Sequence, residues 1–300
     1  MKRVFYLLLF ISFIFLFIFL IRQETIIPEI SNPAALIISI ALLLAGFVAQ
    51  TFSWKVALDI HGDPTSLRDA VISQGLSVFA KYIPGKIWVI LGRAGYLSNS
   101  REDLKTKSVI SLKEQLVYLW AGFLISSIPT ILYYRLQWIS FLVLILLAGL
   151  TLFLFFPKLH QWSMGLVKRV LKTEMEIPSI DFRKSLPLIL AVSLVWLFWT
   201  TGFFLFMHAF SGAISPIMMF AFPLSVSLGL IAVILPGGLG LREGIIIGYL
   251  SLVGMGIETA TTISFLNRFW FIGGEVLIFL LAVVIRLTQS RSIQKKQHSR

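Results

Sequence analysis

Ionisable side chains set inside apolar runs are the positions where this chain could do chemistry. Lys81, Lys86 and Arg93 sit in KYIPGKIWVILGR, a run otherwise apolar enough to enter a bilayer. Arg242 and Glu243 follow a cluster of glycines in PGGLGLREG. Glu114 lies inside the run that contains SLKEQLVYLW, and Glu275 lies near the middle of the last run, in FWFIGGEVLIFL. Arg268 precedes Glu275 on the same helical face, about 10 Å away along the axis. A charge held in hydrocarbon is costly, and by default it marks a functional site. The cations suit an anion, above all a phosphate. The carboxylates suit a cationic headgroup, a proton, or balance of those cations. Each residue also has a plain structural reading: lysines that snorkel to the headgroups, an Arg–Glu pair on a cytoplasmic turn, or a buried ion pair.

Other chemistries find no support. The chain has no cysteine, which excludes thiolate metal sites, disulfides and thiol nucleophiles. His61, His160, His208 and His298 are scattered, without metal-ligand spacing. No Walker A, GxSxG or HExxH pattern occurs. No metal, no cofactor and no catalytic residue is therefore expected, and the chain reads as a transporter rather than an enzyme.

The elements that must position these residues are membrane helices. Of the 300 residues, 57% are hydrophobic and only 13% charged, about half the charged share of a soluble domain. The net charge of +12 falls in short loops and at the ends, so it reads as positive-inside topology rather than a nucleic-acid surface. Apolar runs cover 4–21, 33–54, 108–134, 138–156, 183–209, 214–235 and 262–286, with a shorter run at 244–257. The first is read as a retained span rather than a cleaved signal. Lys2 and Arg3, the 101–107 loop, the 157–184 stretch and the basic tail all fit the cytoplasmic side. The expected fold is an all-α polytopic membrane protein of the cytoplasmic (inner) membrane, with both termini inside. It has about eight transmembrane helices plus a broken, re-entrant segment. Residues 1–287 form one membrane domain, with broken elements near 68–96 and 234–257 and an interfacial amphipathic helix near 157–172. Residues 288–300 form a basic cytoplasmic tail.

Pro84 and Gly85 should stop one helix and let another start near Lys86. Irregular backbone at membrane depth is tolerated only where protein or a watery cavity covers it. A fresh helix N-terminus attracts anions. The run Pro236, Gly237, Gly238 and Gly240 forms a second break, ahead of Arg242 and Glu243. IPGKIWVILGRAGYL and LPGGLGLREGIIIGYL echo each other imperfectly. Paired interruptions of this kind point to a transporter's binding site and to inverted-repeat-like halves. They require the two breaks to meet in space.

Together, KYIPGKIW…GR, Glu114 in the next span and LPGGLGLREG resemble the membrane domain of lysylphosphatidylglycerol synthases, a flippase-like family. In that family the domain moves lipids with aminoacylated headgroups across the bilayer, while a separate soluble domain transfers the amino acid. No such soluble domain is expected here, so aminoacyl transfer is not carried over. The resemblance implies roles for Pro84, Gly85, Lys86 and Arg93 in the first motif. In the second it implies roles for Pro236, Gly237, Gly238, Gly240, Arg242 and Glu243. Glu114 and Arg268 also match, although Gln115 stands where the family usually has arginine. Glu275 has no place in the family pattern.

The expectation is a lipid translocase that hydrolyses no nucleotide. Lys81, Lys86, Arg93 and Arg242 hold a lipid phosphate, and Glu114, Glu243 and Glu275 balance them. Its partners are a phospholipid or polyprenyl glycolipid substrate and enzymes of envelope or glycolipid synthesis. The alternatives are a non-transporting subunit that presents lipid to a separate transferase, and an ion-coupled transporter of a small anion.

Overall fold

A computed structural model describes residues 29–83, 87–134, 138–162, 165, 180–212, 214–232 and 236–298. The run 4–21, Pro84, Gly85, Lys86 and most of 157–172 lie outside the described residues. All regular structure among those described is helical. The order is α1 (Pro33–Ile60), α2 (Leu67–Ser77), a 3-10 turn (Val78–Tyr82), α3 (Ile87–Leu97), α4 (Arg101–Tyr134) and α5 (Trp138–Phe155). Then follow α6 (Leu186–Ser211), a 3-10 turn (Pro216–Phe220), α7 (Ala221–Ile231), a 3-10 turn (Pro236–Gly238), α8 (Leu241–Leu252) and α9 (Ile257–His298).

Local chemistry sets the ends of these helices. Asn32 caps α1, its side chain accepting from the Ala35 N–H at 3.1 Å, with Pro33 at the first helical position. Ser66 accepts from the Asp69 N–H at 3.1 Å to start α2. Ser100 accepts from the Asp103 N–H at 3.1 Å, and Glu102 and Asp103 occupy the acidic first turn of α4. At α8 the Glu243 carboxylate reaches back to the Gly240 N–H at 2.7 Å, which is one half of a capping box.

Four helices are long and apolar enough to cross a bilayer: α1, α4 over Arg101–Ser127, α6, and α9 over Ile257–Thr288. Three apolar stretches are shorter: Ile87–Leu97, Ser140–Phe155 and Pro216–Ile231. Long crossings among the described residues therefore number four, and the expected first span, 4–21, lies outside those residues. The 214–235 run is divided, because Pro216–Phe220 winds as a 3-10 turn before α7 begins. The 244–257 run yields an α8 of 12 residues, short of the roughly 20 that a spanning helix needs. The helix after α5 is described over 157–162 and at 165; Leu159 and Trp162 are exposed and His160 is buried.

The core is aromatic. Trp196, Trp199, Phe203, Phe222 and Phe271 pack between α6, α7 and α9. α1 and α6 lie against each other along most of their length. Gly46 makes this approach possible: a Cβ there would stand 2.1 Å from the Trp199 ring. The Trp199 indole donates to the Leu43 carbonyl at 3.1 Å, and Trp196 donates to the Tyr118 carbonyl at 3.0 Å. Buried indole N–H groups are thus satisfied by helix carbonyls.

Candidate functional site

The ionisable residues fall into two buried clusters. The first joins α1 to α4. Arg93 on α3 and Glu114 on α4 are both fully buried, with Nη2 2.5 Å from Oε2. Arg93 also donates from Nε to Ser111 Oγ at 2.6 Å, from Nη2 to the Ser111 carbonyl at 2.8 Å, and from Nη1 to Gln74 Oε1 at 3.2 Å. Its guanidinium lies over the Trp54 ring at 4.2 Å. Glu114 accepts from Ser53 at 2.7 Å and from Gln115 at 3.4 Å. Removing one partner of such a pair typically costs about 3–5 kcal/mol, because the other is stranded in a low dielectric.

The second cluster lies where the turn that precedes the first break meets the second break. The 3-10 turn Val78–Tyr82 touches the 3-10 turn Pro236–Gly238. Gly237 has φ +58, and a Cβ there would lie 2.6 Å from Tyr82 Cε1, so both the backbone and the contact require glycine. α9 clamps both breaks. Glu275 pairs with Lys81 and accepts from Tyr82 Oη at 2.8 Å. Two turns earlier, Arg268 Nε lies 3.0 Å from Glu243 Oε1, and Nη1 donates to the Gly237 carbonyl at 3.3 Å. Lys81 is therefore the partner of Glu275. Glu243 turns to Arg268 and to the Gly240 N–H, not to its neighbour Arg242.

That choice leaves Arg242 distinctive. It is 8% exposed, its Nε has no hydrogen-bond partner, and no carboxylate pairs with it among the described residues. Its stem runs against Gly229 on α7, where a Cβ would stand 2.6 Å from Arg242 Cγ. Its guanidinium lies 5.3 Å from the Phe271 ring, and Lys81 Nζ lies 4.9 Å from the same ring. One aromatic ring thus serves two cations.

Arg242 and Lys81 line the inner end of a cavity of about 990 Å³, together with Gly237, Phe271, Trp199 and Tyr118. Its walls are mostly apolar, from Ile90 and Leu91 on α3, Leu112, Leu116 and Leu119 on α4, and Leu230 on α7. Arg101 and Lys105, on the first turns of α4, also line it. Among the described lining residues, those charged at neutral pH are all cations: Lys81, Arg101, Lys105 and Arg242.

Of the sequence-predicted residues, the structure therefore gathers Lys81, Pro236, Gly237, Gly238, Gly240, Arg242, Glu243, Arg268 and Glu275 around the contact of the 3-10 turns Val78–Tyr82 and Pro236–Gly238. Arg93 and Glu114 do not themselves line the cavity, although Gln74 and Gln115, which bond to them, do. Pro84, Gly85 and Lys86 lie outside the described residues. Tyr82, Tyr118, Gln74 and Phe271 escaped sequence reasoning. Tyr82 had a signal, because it adjoins Lys81 at the break. The others are polar or aromatic residues inside apolar runs, which composition alone does not distinguish from core.

A family model described as the lysylphosphatidylglycerol synthase TM region matches residues 4–274. The chain belongs to this family. It is a multi-pass helical membrane protein with a TM region of the lysylphosphatidylglycerol synthase type. The matched span contains both breaks, the Arg93–Glu114 pair, Arg242 and Arg268. It ends one residue before Glu275, so the clamp on Lys81 reaches just past the family match. No curated protein matches the chain.

Proposed function

We propose that this protein is a lipid translocase of the cytoplasmic membrane, moving a phosphate-containing phospholipid or glycolipid headgroup without nucleotide hydrolysis. One observation carries the reading: a buried arginine, with no carboxylate partner among the described residues, stands at the inner end of a large apolar-walled cavity. An unpaired guanidinium in a low dielectric is unfavourable by several kcal/mol, and an incoming anion relieves that cost. The apolar walls accept acyl or prenyl tails, which stay in lipid while the headgroup passes. Membership of a lipid-related family supports the same reading. The irregular backbone at 78–83 and 236–240 lies beside a cavity, where membrane proteins tolerate it. The proposal includes the topology that charge placement favours, with both termini cytoplasmic and an even number of crossings.

Reconstitution with fluorescent lipid reporters tests it. Wild type should redistribute the reporter between leaflets well above empty liposomes, and Arg242→Ala should lose most of that rate. Equal rates for wild type, Arg242→Ala and empty liposomes overturn the reading.

A further inference from the structure

We propose that the cavity selects an anionic headgroup that carries no amine, a phosphodiester monoanion, with Arg242 as its charge partner and the Tyr118 hydroxyl as a second donor. This rests on the lipid-translocase reading and narrows it to one class of lipid.

The first ground is what the cavity lacks. Among the described residues lining it there are four cations and no aspartate or glutamate. The three buried carboxylates nearby are all engaged. Glu114 is held by Arg93 and Ser53, Glu243 by Arg268 and the Gly240 N–H, and Glu275 by Lys81 and Tyr82. An ammonium group entering with a phosphate would meet Lys81 and Arg242 and find no free acceptor of its charge. Removing any of the three carboxylates from its present cation would strand that cation instead.

The second ground is charge balance at the inner end. Among the described residues, Lys81, Arg242 and Arg268 face Glu243 and Glu275, three cations against two carboxylates. The excess is one positive charge, and it sits on Arg242. A phosphodiester carries one negative charge and closes the balance. A phosphomonoester, at about −1.5 to −2 near pH 7, overshoots it. A zwitterionic headgroup leaves the excess in place.

The third ground is a pair of unsatisfied donors. Arg242 Nε and Tyr118 Oη are both buried without a hydrogen-bond partner, at 8% and 4% exposure, and both residues line the cavity. Buried polar atoms are rarely left so. Arginine only donates, and a phenol donates readily to an anionic oxygen. The two together describe an acceptor-rich, negatively charged guest. The Tyr118 ring is fixed against Trp196 at 4.6 Å, so the hydroxyl is positioned without the guest.

The test uses the full chain in detergent, offered equimolar phosphatidylglycerol and phosphatidylethanolamine of identical acyl chains, read by native mass spectrometry. Inorganic phosphate alone is a separate arm, read by thermal shift. The expected result is retention of phosphatidylglycerol over phosphatidylethanolamine by about tenfold or more, with no shift from inorganic phosphate. Tyr118→Phe should weaken phosphatidylglycerol retention by about threefold to tenfold with an unchanged unfolding temperature, since the hydroxyl makes no hydrogen bond to lose. Arg242→Gln should abolish the preference. Equal or greater retention of the aminolipid, with leaflet redistribution intact, overturns the selectivity and leaves translocation standing. Stabilisation by inorganic phosphate as strong as that by lipid overturns it in favour of a soluble anion. No retained lipid together with no redistribution overturns both readings.

Discussion

At the residue scale, two arginines of similar burial have opposite surroundings. Arg93 is fully buried and saturated: a carboxylate, a serine hydroxyl, a backbone carbonyl, a glutamine oxygen and an indole face surround its guanidinium. Arg242 is nearly as buried and has a free Nε. The first arrangement holds helices together, and the second waits for a partner. The difference predicts opposite responses to mutation. Glu114→Gln or Arg93→Met should each destabilise the protein by about 3–5 kcal/mol, because each strands a buried charge. The double variant Arg93→Met/Glu114→Leu should cost clearly less than the sum of its singles. Thermal or denaturant unfolding in detergent measures the cycle, and additive costs would sink the account. Sequence reading found both charges and offered a buried pair as one of two meanings for Glu114. It did not join Glu114 to Arg93, because Ser111, Gln74 and Ser53 contribute from three helices whose packing no local pattern encodes.

At the element scale, α9 is the strut that ties the site to the bundle. Arg268 and Glu275 sit two turns apart and hold opposite breaks, one through Gly237 and Glu243, the other through Lys81 and Tyr82. Between them the helix presses on α1 through a small residue. A Cβ at Gly274 would stand 2.5 Å from Phe47 Cε2 and 2.8 Å from Leu43 Cδ2, whereas one at Gly273 would meet nothing within 4 Å. Gly274→Ala should therefore destabilise the protein by about 1–3 kcal/mol through overpacking. Gly273→Ala, on the exposed side of the same helix, should stabilise it by about 0.5–1 kcal/mol through backbone entropy. Unfolding of the two single variants side by side checks the pair, and a shared sign would contradict the packing. Long apolar runs made α1, α4, α6 and α9 legible in sequence, within three residues at half of their ends. The glycine pair was legible as a sign of close packing, but only the fold shows which of the two is in contact. The run at 214–235 misled for a physical reason. Hydropathy records composition, and neither the 3-10 turn at Pro216 nor the end of α7 at Ile231 alters it.

At the scale of the whole molecule, charge is segregated by surface rather than by sequence. The +12 net charge was read as topology. Part of it also lines the cavity, where Lys81, Arg101, Lys105 and Arg242 meet no lining carboxylate among the described residues. A cleft with low-dielectric walls and one sign of charge concentrates ions of the other sign. The chain has no cysteine, so one introduced thiol reports on this field alone. Ser108 suits the purpose: it lines the cavity and its buried hydroxyl has no hydrogen-bond partner. Ser108→Cys is nearly isosteric and sacrifices no bond. Its reaction with a sulfonate-bearing thiol reagent should exceed that with an ammonium-bearing one by about tenfold at low salt, after correction for each reagent's rate with a free thiol. Raising ionic strength should shrink the ratio, since exposed Arg101 and Lys105 are screened over about 10 Å at 0.1 M salt. Arg242 and Lys81 lie deeper among apolar walls and are screened less, so a residual preference should persist at high salt. Arg242→Gln should remove that residual while leaving most of the salt-sensitive component. A ratio near one, or a faster ammonium reagent, would mean that the cavity does not present the cationic field its lining describes.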